Sequence, residues 1–473
     1  MTYNPRVLSN LVKLSICIAF TSIIWILPVP SGIPIVGWHV FAIFIGVIAS
    51  FIIRPFQMGV MVLLGLVALI TSGTISIKEG LSGYGDSTVW LVVAAFLIAG
   101  SVIRTGLGKR IALLFVRTLG KSPLGLGYSI CGAELLLGPV VPSNTARGGG
   151  ILAPIVQSIS TALDSHPKEN PEKAGKFLTL VGAHANLITA AMFLTGMAAN
   201  PLVAAAASDV FNVDFSWGTW ALGAIVPGLI GLALLPLVIS WISKPSIKDT
   251  SAAQKAAAEE LENMGVWSRG EIIMGIVFVL LLALWITKPI HGIHTATVAW
   301  MGVLALLLTG TEQWDDIIGN RKAWDTLIWL GGLLTMANML KAYGFIGWFA
   351  VNIGDLVMGL EGMALLVIIA LIYFYSMYLF SMLTAHIAAM VGLFFALLLT
   401  TNVPPLVTIA LIAYFSNLCA CLTYYSSGPV VIYFGSGYVS SKKWFSAGFI
   451  ISIFHLIIWL GIGLPWWKII GWW

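Results

Sequence analysis

Apolar residues dominate this chain in long unbroken runs, among them Leu11 to Leu27, Val40 to Ile53, Ala221 to Ile239, Ile272 to Trp285 and Phe449 to Leu464. A helix needs about 20 apolar residues to cross a bilayer, and runs of that kind recur along the whole length. The pattern predicts about eleven membrane-spanning helices. Two further pairs of apolar segments, with arms of about 15 residues, are too short to cross singly and read as re-entrant hairpins. Membrane strands would alternate in polarity over roughly ten residues, and these runs do not, so the predicted fold is an all-α polytopic membrane protein.

Polar punctuation divides the chain. The stretch 244–270, rich in Ala, Glu and Lys, is the longest polar segment and is predicted to be a cytoplasmic surface linker between two halves. Asp86-Ser87-Thr88-Val89-Trp90-Leu91 resembles Asp325-Thr326-Leu327-Ile328-Trp329-Leu330, and Pro142-Ser143-Asn144-Thr145-Ala146-Arg147 resembles Ser381-Met382-Leu383-Thr384-Ala385-His386. Both matches share one offset, 239 residues (90 to 329, 145 to 384). The expected organisation is an extra helix over 1–36, a first repeat over 37–243, the linker, and a second repeat over 271–473. Five spans and a hairpin per repeat make the second copy run opposite to the first, the inverted-repeat plan of many secondary transporters.

Of 473 residues, 59% are hydrophobic and 9% charged, against roughly 25% charged in a soluble protein. The net charge of +5 follows membrane orientation and not nucleic acid. An inside N-terminus gathers Arg54, Arg104, Lys109, Arg110, Arg117, Lys121, the linker lysines, Arg321 and Lys322, and Lys442 and Lys443 on the cytoplasmic face. The C-terminus, with Trp466, Trp467, Trp472 and Trp473, then falls outside the cell membrane. No leader cleavage site is recognised, and the first apolar run is long enough to remain a span. Cys17, Cys131, Cys419 and Cys421 lie in apolar stretches and read as packing residues, with no metal or other cofactor expected.

Proline and glycine interrupt apolar segments at four places, where a continuous helix cannot run. Two are hairpin tips, Gly138 to Thr145 and Phe380 to Thr384. Two lie in later spans, Thr195 to Pro201 and Tyr424 to Pro429. Breaks of this kind expose backbone groups and helix N-termini at membrane depth, which suits carboxylate binding. The candidate substrate-binding residues are Ser143, Asn144, Thr145, Asn200, Pro201, Ser381, Thr384, Ser427, Gly428 and Pro429. The competing reading is that such residues only kink helices or bond to their own backbone.

These motifs resemble the divalent anion/sodium symporter family, the INDY-type di- and tricarboxylate carriers, over essentially the full chain. Ser143-Asn144-Thr145 matches the family's signature triplet. Asn200-Pro201 stands at its first break, and Ser427-Gly428-Pro429 with Phe434-Gly435-Ser436-Gly437-Tyr438 at its later one. The resemblance implies a homodimer, a transport part that moves as a body past a scaffold part in an elevator motion, and small dicarboxylate anions such as succinate, malate, fumarate or 2-oxoglutarate as partners.

The second hairpin departs from the sodium-dependent members. Met382-Leu383-Thr384 replaces a Ser-Asn-Thr triplet, and thioether and alkyl groups do not ligate a hard cation. In the first repeat, Pro139 stands where those members offer a hydroxyl. Two basic residues, Arg147 and His386, occupy matching positions and are expected to compensate charge in place of sodium. An ion pair of Arg147 with Glu134, or capping of carbonyls, is the alternative, as is a neutral hydrogen-bonded His386. The expected function is sodium-independent dicarboxylate exchange. The alternative is sodium- or proton-coupled symport, with Glu134, His184 or His386 carrying the proton. Catalysis is not expected: no paired metal ligands, nucleophile elbow or acid/base pair is present. Gly120-Lys121-Ser122 lacks the preceding glycine of a phosphate loop, so ATP is not expected as a partner.

Overall fold

A computed structural model describes residues 5–354, 362–399 and 402–473. The N-terminal residues of the extra helix and parts of the second half around 355–361 and 400–401 lie outside them. Helix follows helix, with no strand among the described residues. The α-helices of eight residues or more begin with α1 (Pro5–Ile26), α2 (Ile35–Ile53), α3 (Met58–Thr71), α4 (Ser87–Thr105), α5 (Leu107–Leu119), α6 (Pro123–Leu137) and α7 (Ala153–Ala162). Next come α8 (Gly175–Met192), α9 (Asn200–Phe211), α10 (Trp217–Ile242), α11 (Ser251–Asn263), α12 (Arg269–Ile286), α13 (Thr295–Leu308) and α14 (Arg321–Ala342). The last are α15 (Phe345–Gly354), α16 (Gly362–Tyr375), α17 (Leu383–Leu398), α18 (Pro405–Leu418), α19 (Gly428–Gly435) and α20 (Ser441–Ile458).

Eight helical segments among the described residues are long and apolar enough to cross a membrane, and α3, α6, α13 and α17 are apolar but shorter. At both expected hairpin tips one helix stops and another begins. In the first, α6 ends at Leu137, Gly138 to Asn144 form the tip, and a π-helical turn over Thr145–Leu152 leads into α7. In the second, α16 tightens into a 3₁₀ turn at Ser376–Leu379 before α17 starts at Leu383. Both expected span breaks are also present. α8 stops at Phe193, whose φ of −129° and ψ of 135° are extended, and α9 restarts at Asn200-Pro201. α18 runs into a 3₁₀ turn, Thr423 is extended (φ −134°, ψ 151°), and α19 restarts at Gly428 with Pro429 in its first turn, the position where proline's missing N–H leaves no bond unmade.

The chain folds as two units, each assembled from segments on both sides of the linker. Unit 1 comprises residues 1–93, 201–215 and 321–412; unit 2 comprises 94–200, 216–320 and 413–473. Unit 1 holds α2, α3 and the second hairpin. Its glycine-faced junction lets Tyr84 lie against α14, with its hydroxyl donating to Ile328 O at 3.1 Å. Unit 2 holds the first hairpin, both breaks and the linker. Its centre is α8, whose residues from Phe177 to Met192 are all buried. A mostly apolar helix buried all round belongs in such a core, and its polar residues Asn186 and Thr189 bond to Glu134.

The linker helix α11 lies along α5, with Lys109 Nζ donating to Glu260 Oε1 at 2.5 Å. Just after it, Arg110 reaches the Glu271 carboxylate (2.5 Å) and the carbonyls of Met264, Gly265 and Val266, and lies over the Trp267 ring. Glu271 and Ser268 bond each other's backbone N–H in a capping box that starts α12, satisfying two donors the helix leaves open.

Candidate functional site

In unit 2 the first hairpin tip meets the start of α19. A Cβ on Gly428 would lie 2.2 Å from Thr145 Oγ1, and one on Gly148 would lie 3.1 Å from the Pro429 Cβ. Only glycine at 428 permits that approach. Ser143, Asn144, Thr145, Ser427, Gly428 and Pro429 are thereby gathered in one place. Ser143 Oγ accepts the Ala146 N–H at 3.1 Å and starts the returning arm, as a helix-capping hydroxyl does. Asn144 Nδ2 and Ser427 Oγ are buried and have no hydrogen-bond partner among the described residues. An unmade bond at a buried donor costs about 1–3 kcal/mol, which makes these two groups the candidate ligand contacts.

Beneath the tip runs a buried polar network. Arg147 and Glu134 are fully buried, with Nε donating to Glu134 Oε2 at 2.6 Å. The same guanidinium donates through Nη1 to the carbonyls of Val141 (2.7 Å) in the hairpin and Gly196 (3.1 Å) in the first break, and through Nη2 to Thr189 Oγ1 (3.2 Å). Glu134 also accepts from Asn186 Nδ2 (2.9 Å) and Thr189 Oγ1 (2.9 Å), and Asn186 Nδ2 reaches Asn144 O at 3.2 Å. Arg147 therefore takes the ion-paired, carbonyl-capping arrangement. It is the ion pair with Glu134 that the sequence offered as the alternative, and the guanidinium and carboxylate together carry no net charge.

Asn200 is occupied structurally. Its Nδ2 donates to Ala190 O (2.8 Å) and Phe193 O (3.0 Å), and its Oδ1 accepts from Asn417 Nδ2 (2.8 Å). The amide thus staples the frayed end of α8, whose last carbonyls have no helical partner. Ser426 does the same for the other break, donating to Ala420 O (2.6 Å) and Thr423 O (2.9 Å). Trp217 Nε1 donates to Thr195 Oγ1 at 2.9 Å within the first break.

Pro201, Ser381, Thr384 and His386 belong to unit 1. There the second hairpin tip is held by Arg54, whose Nη2 donates to Ser381 O (2.9 Å) and Ser381 Oγ (3.0 Å). Arg54 ends α2 in the left-handed conformation, φ 55°, which aims its side chain off the helix axis. His386 is buried between Tyr373 and Phe380, with ring centroids 4.6 and 5.0 Å away, and its Nε2 shares a hydrogen bond with Ser376 Oγ at 2.8 Å.

Sequence reading missed Asn186, Thr189 and Asn417. The available signal was amide and hydroxyl groups in otherwise apolar spans, with Asn186 and Thr189 three residues apart on one face of α8. It also took Arg54 only as a marker of orientation. No group of three or more His, Cys, Asp or Glu residues suited to a metal ion occurs among the described residues. The four free cysteines are all buried.

An all-helical membrane protein with paired hairpins, interrupted spans and unpaired buried donors at one hairpin tip has the build of a secondary carrier. The chain belongs to the sodium:sulfate symporter family, whose transmembrane region it matches over residues 8–473; the family's members are transporters and not enzymes. Among its relatives is YflS of Bacillus subtilis, provisionally named a malate transporter, 45% identical over 98% of this chain and 97% of that one. The chloroplastic dicarboxylate transporter 1 of Arabidopsis thaliana is 39% identical over 96% of this chain and 82% of that one. In fold the chain resembles the YdaH transporter of Alcanivorax borkumensis (TM-score 0.58, 13% identity, 99% of each chain) and MtrF of Neisseria gonorrhoeae (TM-score 0.57, 15% identity, 98% of this chain and 95% of that one).

Proposed function

We propose that this protein exchanges dicarboxylates across the cell membrane without sodium. The relatives at 39–45% identity, named for malate or dicarboxylate transport, support the substrate class. One carboxylate is held by Asn144 Nδ2, Ser427 Oγ and the backbone N–H groups that open α19 at Gly428, a helix start that favours negative charge.

The observation that carries sodium independence is the position of Arg147. Its guanidinium already lies on the carbonyls of Val141 and Gly196, backbone oxygens of the kind a coupled cation would use. The two segments are cross-tied by a permanent internal cation with Glu134 as its counter-ion, so no imported ion is needed to assemble the tip. In the second hairpin Met382 and Leu383 offer no hard ligand, and His386 is held by Ser376.

Exchange follows from desolvation and not from net charge. A closed, empty carrier leaves Asn144 Nδ2 and Ser427 Oγ unbonded at about 1–3 kcal/mol each, while a bound carboxylate satisfies both. The loaded form crosses more readily than the empty one. The transport motion is an elevator movement of one part of a homodimeric protomer past the other, within an inverted-repeat scaffold with a cytoplasmic N-terminus.

The test is uptake of labelled succinate and 2-oxoglutarate into proteoliposomes, with and without internal dicarboxylate, in sodium and sodium-free buffers. Uptake that requires internal substrate and ignores sodium is the expected result. Uptake into empty vesicles that collapses without sodium means symport and overturns the proposal.

A further inference from the structure

Away from the hairpin, unit 2 contains a polar cavity of about 360 Å³ where three helix ends meet. Arg104 ends α4, Arg269 begins α12, and Thr309 and Thr311 follow α13; Gln313 and Asp316 complete the wall. α4 and α12 are long and apolar enough to cross a membrane and α13 is a shorter apolar helix, so a cavity at their ends suits the boundary between headgroups and hydrocarbon.

Its two arginines differ. Arg104 is anchored by the buried carboxylate of Glu312, which Ser101 also bonds, and has Asp316 at 3.7 Å. That charge is balanced. Arg269 is exposed and has no hydrogen bond or ion pair among the described residues, although it lines the same cavity. Arg269, free of an internal carboxylate, shares this lining with the Thr309 and Thr311 hydroxyls, and guanidinium and hydroxyl donors are the groups that recognise a phosphate. Below the cavity, Ile272, Ile276 and Val279 of α12 and Leu304 and Leu308 of α13 are exposed apolar side chains, and Ile273 joins them to its wall. An occupant must therefore be anionic at the helix ends and hydrocarbon along the two helices.

We infer that this cavity binds the phosphate headgroup of an anionic phospholipid, with Arg269 as the recognising residue, Arg104 as its fixed partner and the α12/α13 surface taking the acyl chains. Basic pockets between membrane helices bind lipid headgroups by this chemistry.

The test uses the full-length protein, delipidated in dodecyl maltoside and supplied with phosphatidylglycerol, with phosphatidylcholine, or with inorganic phosphate alone. Phosphatidylglycerol is expected to raise the unfolding temperature of the wild type by a few degrees above phosphatidylcholine, with inorganic phosphate giving no such rise. R269Q should lose that difference, while R117Q, which removes an exposed arginine outside the cavity, should keep it. Native mass spectrometry should show fewer phosphatidylglycerol molecules retained by R269Q than by either. An equal effect of inorganic phosphate would make this a free-anion site and overturn the lipid assignment. Equal effects of the two lipids, or equal losses in R269Q and R117Q, would overturn the site.

Discussion

Replacing Asn144 with Ala removes a buried amide donor that no described group uses, so the fold loses little while, in the proposed binding mode, the substrate loses a charge-assisted hydrogen bond. Such bonds are worth about 1.5–3 kcal/mol, and dicarboxylate uptake by N144A is expected to fall about ten- to hundredfold, with the unfolding temperature unchanged. Glu134→Gln should do the opposite. It strands the Arg147 guanidinium among neutral groups in the protein interior, and removing one partner of a buried pair costs about 3–5 kcal/mol. The expected result is a marked drop in unfolding temperature, read by intrinsic fluorescence. Gly428→Ala drives a methyl to 2.2 Å from Thr145 Oγ1, whereas Gly150→Ala on the same hairpin meets nothing within 4 Å. Uptake should collapse in the first and survive in the second. Sequence named the tip residues because proline, glycine and a hydroxyl-amide triplet cannot continue an apolar helix. It could not show that Asn200 faces the carbonyls of its own break, because which way an amide turns depends on neighbours such as Asn417, over two hundred residues distant.

At the scale of elements, spans and breaks were legible because apolar length and helix-breaking residues are local properties. The two units were not, since each draws from both halves of the chain and the assignment rests on long-range packing. The linker was legible as a polar surface segment, while its attachment to α5 through Lys109 and Glu260 was not. The hydrogen bond from Lys109 holds the Glu260 carboxyl below its ordinary range. A lowered carboxylate pKa contributes stability above the ordinary value and loses it as pH falls through the lowered one. Both side chains are exposed, so the effect is local and small. Limited proteolysis of the linker should be unchanged from neutral pH down to the carboxylate range and then quicken as pH falls further. Lys109→Met should remove that dependence.

For the whole molecule, the proposed exchange joins a family of membrane transporters to a tip tied by the internal Arg147–Glu134 pair. The sharpest check on alternating access comes from the four cysteines, Cys17, Cys131, Cys419 and Cys421, each free and enclosed. Buried thiols react slowly with aqueous reagents, so with Cys17, which lines a pocket between α1, α2 and α3, replaced by Ser, the chain is a quiet background for chemical labelling. A cysteine introduced at Ser143 would be the single reactive thiol, and its modification by a membrane-impermeant maleimide would report the face to which the tip is open. Added dicarboxylate should slow that modification, because substrate and maleimide compete for the same opening. A tip labelled equally from both faces at once would describe a pore and not a carrier.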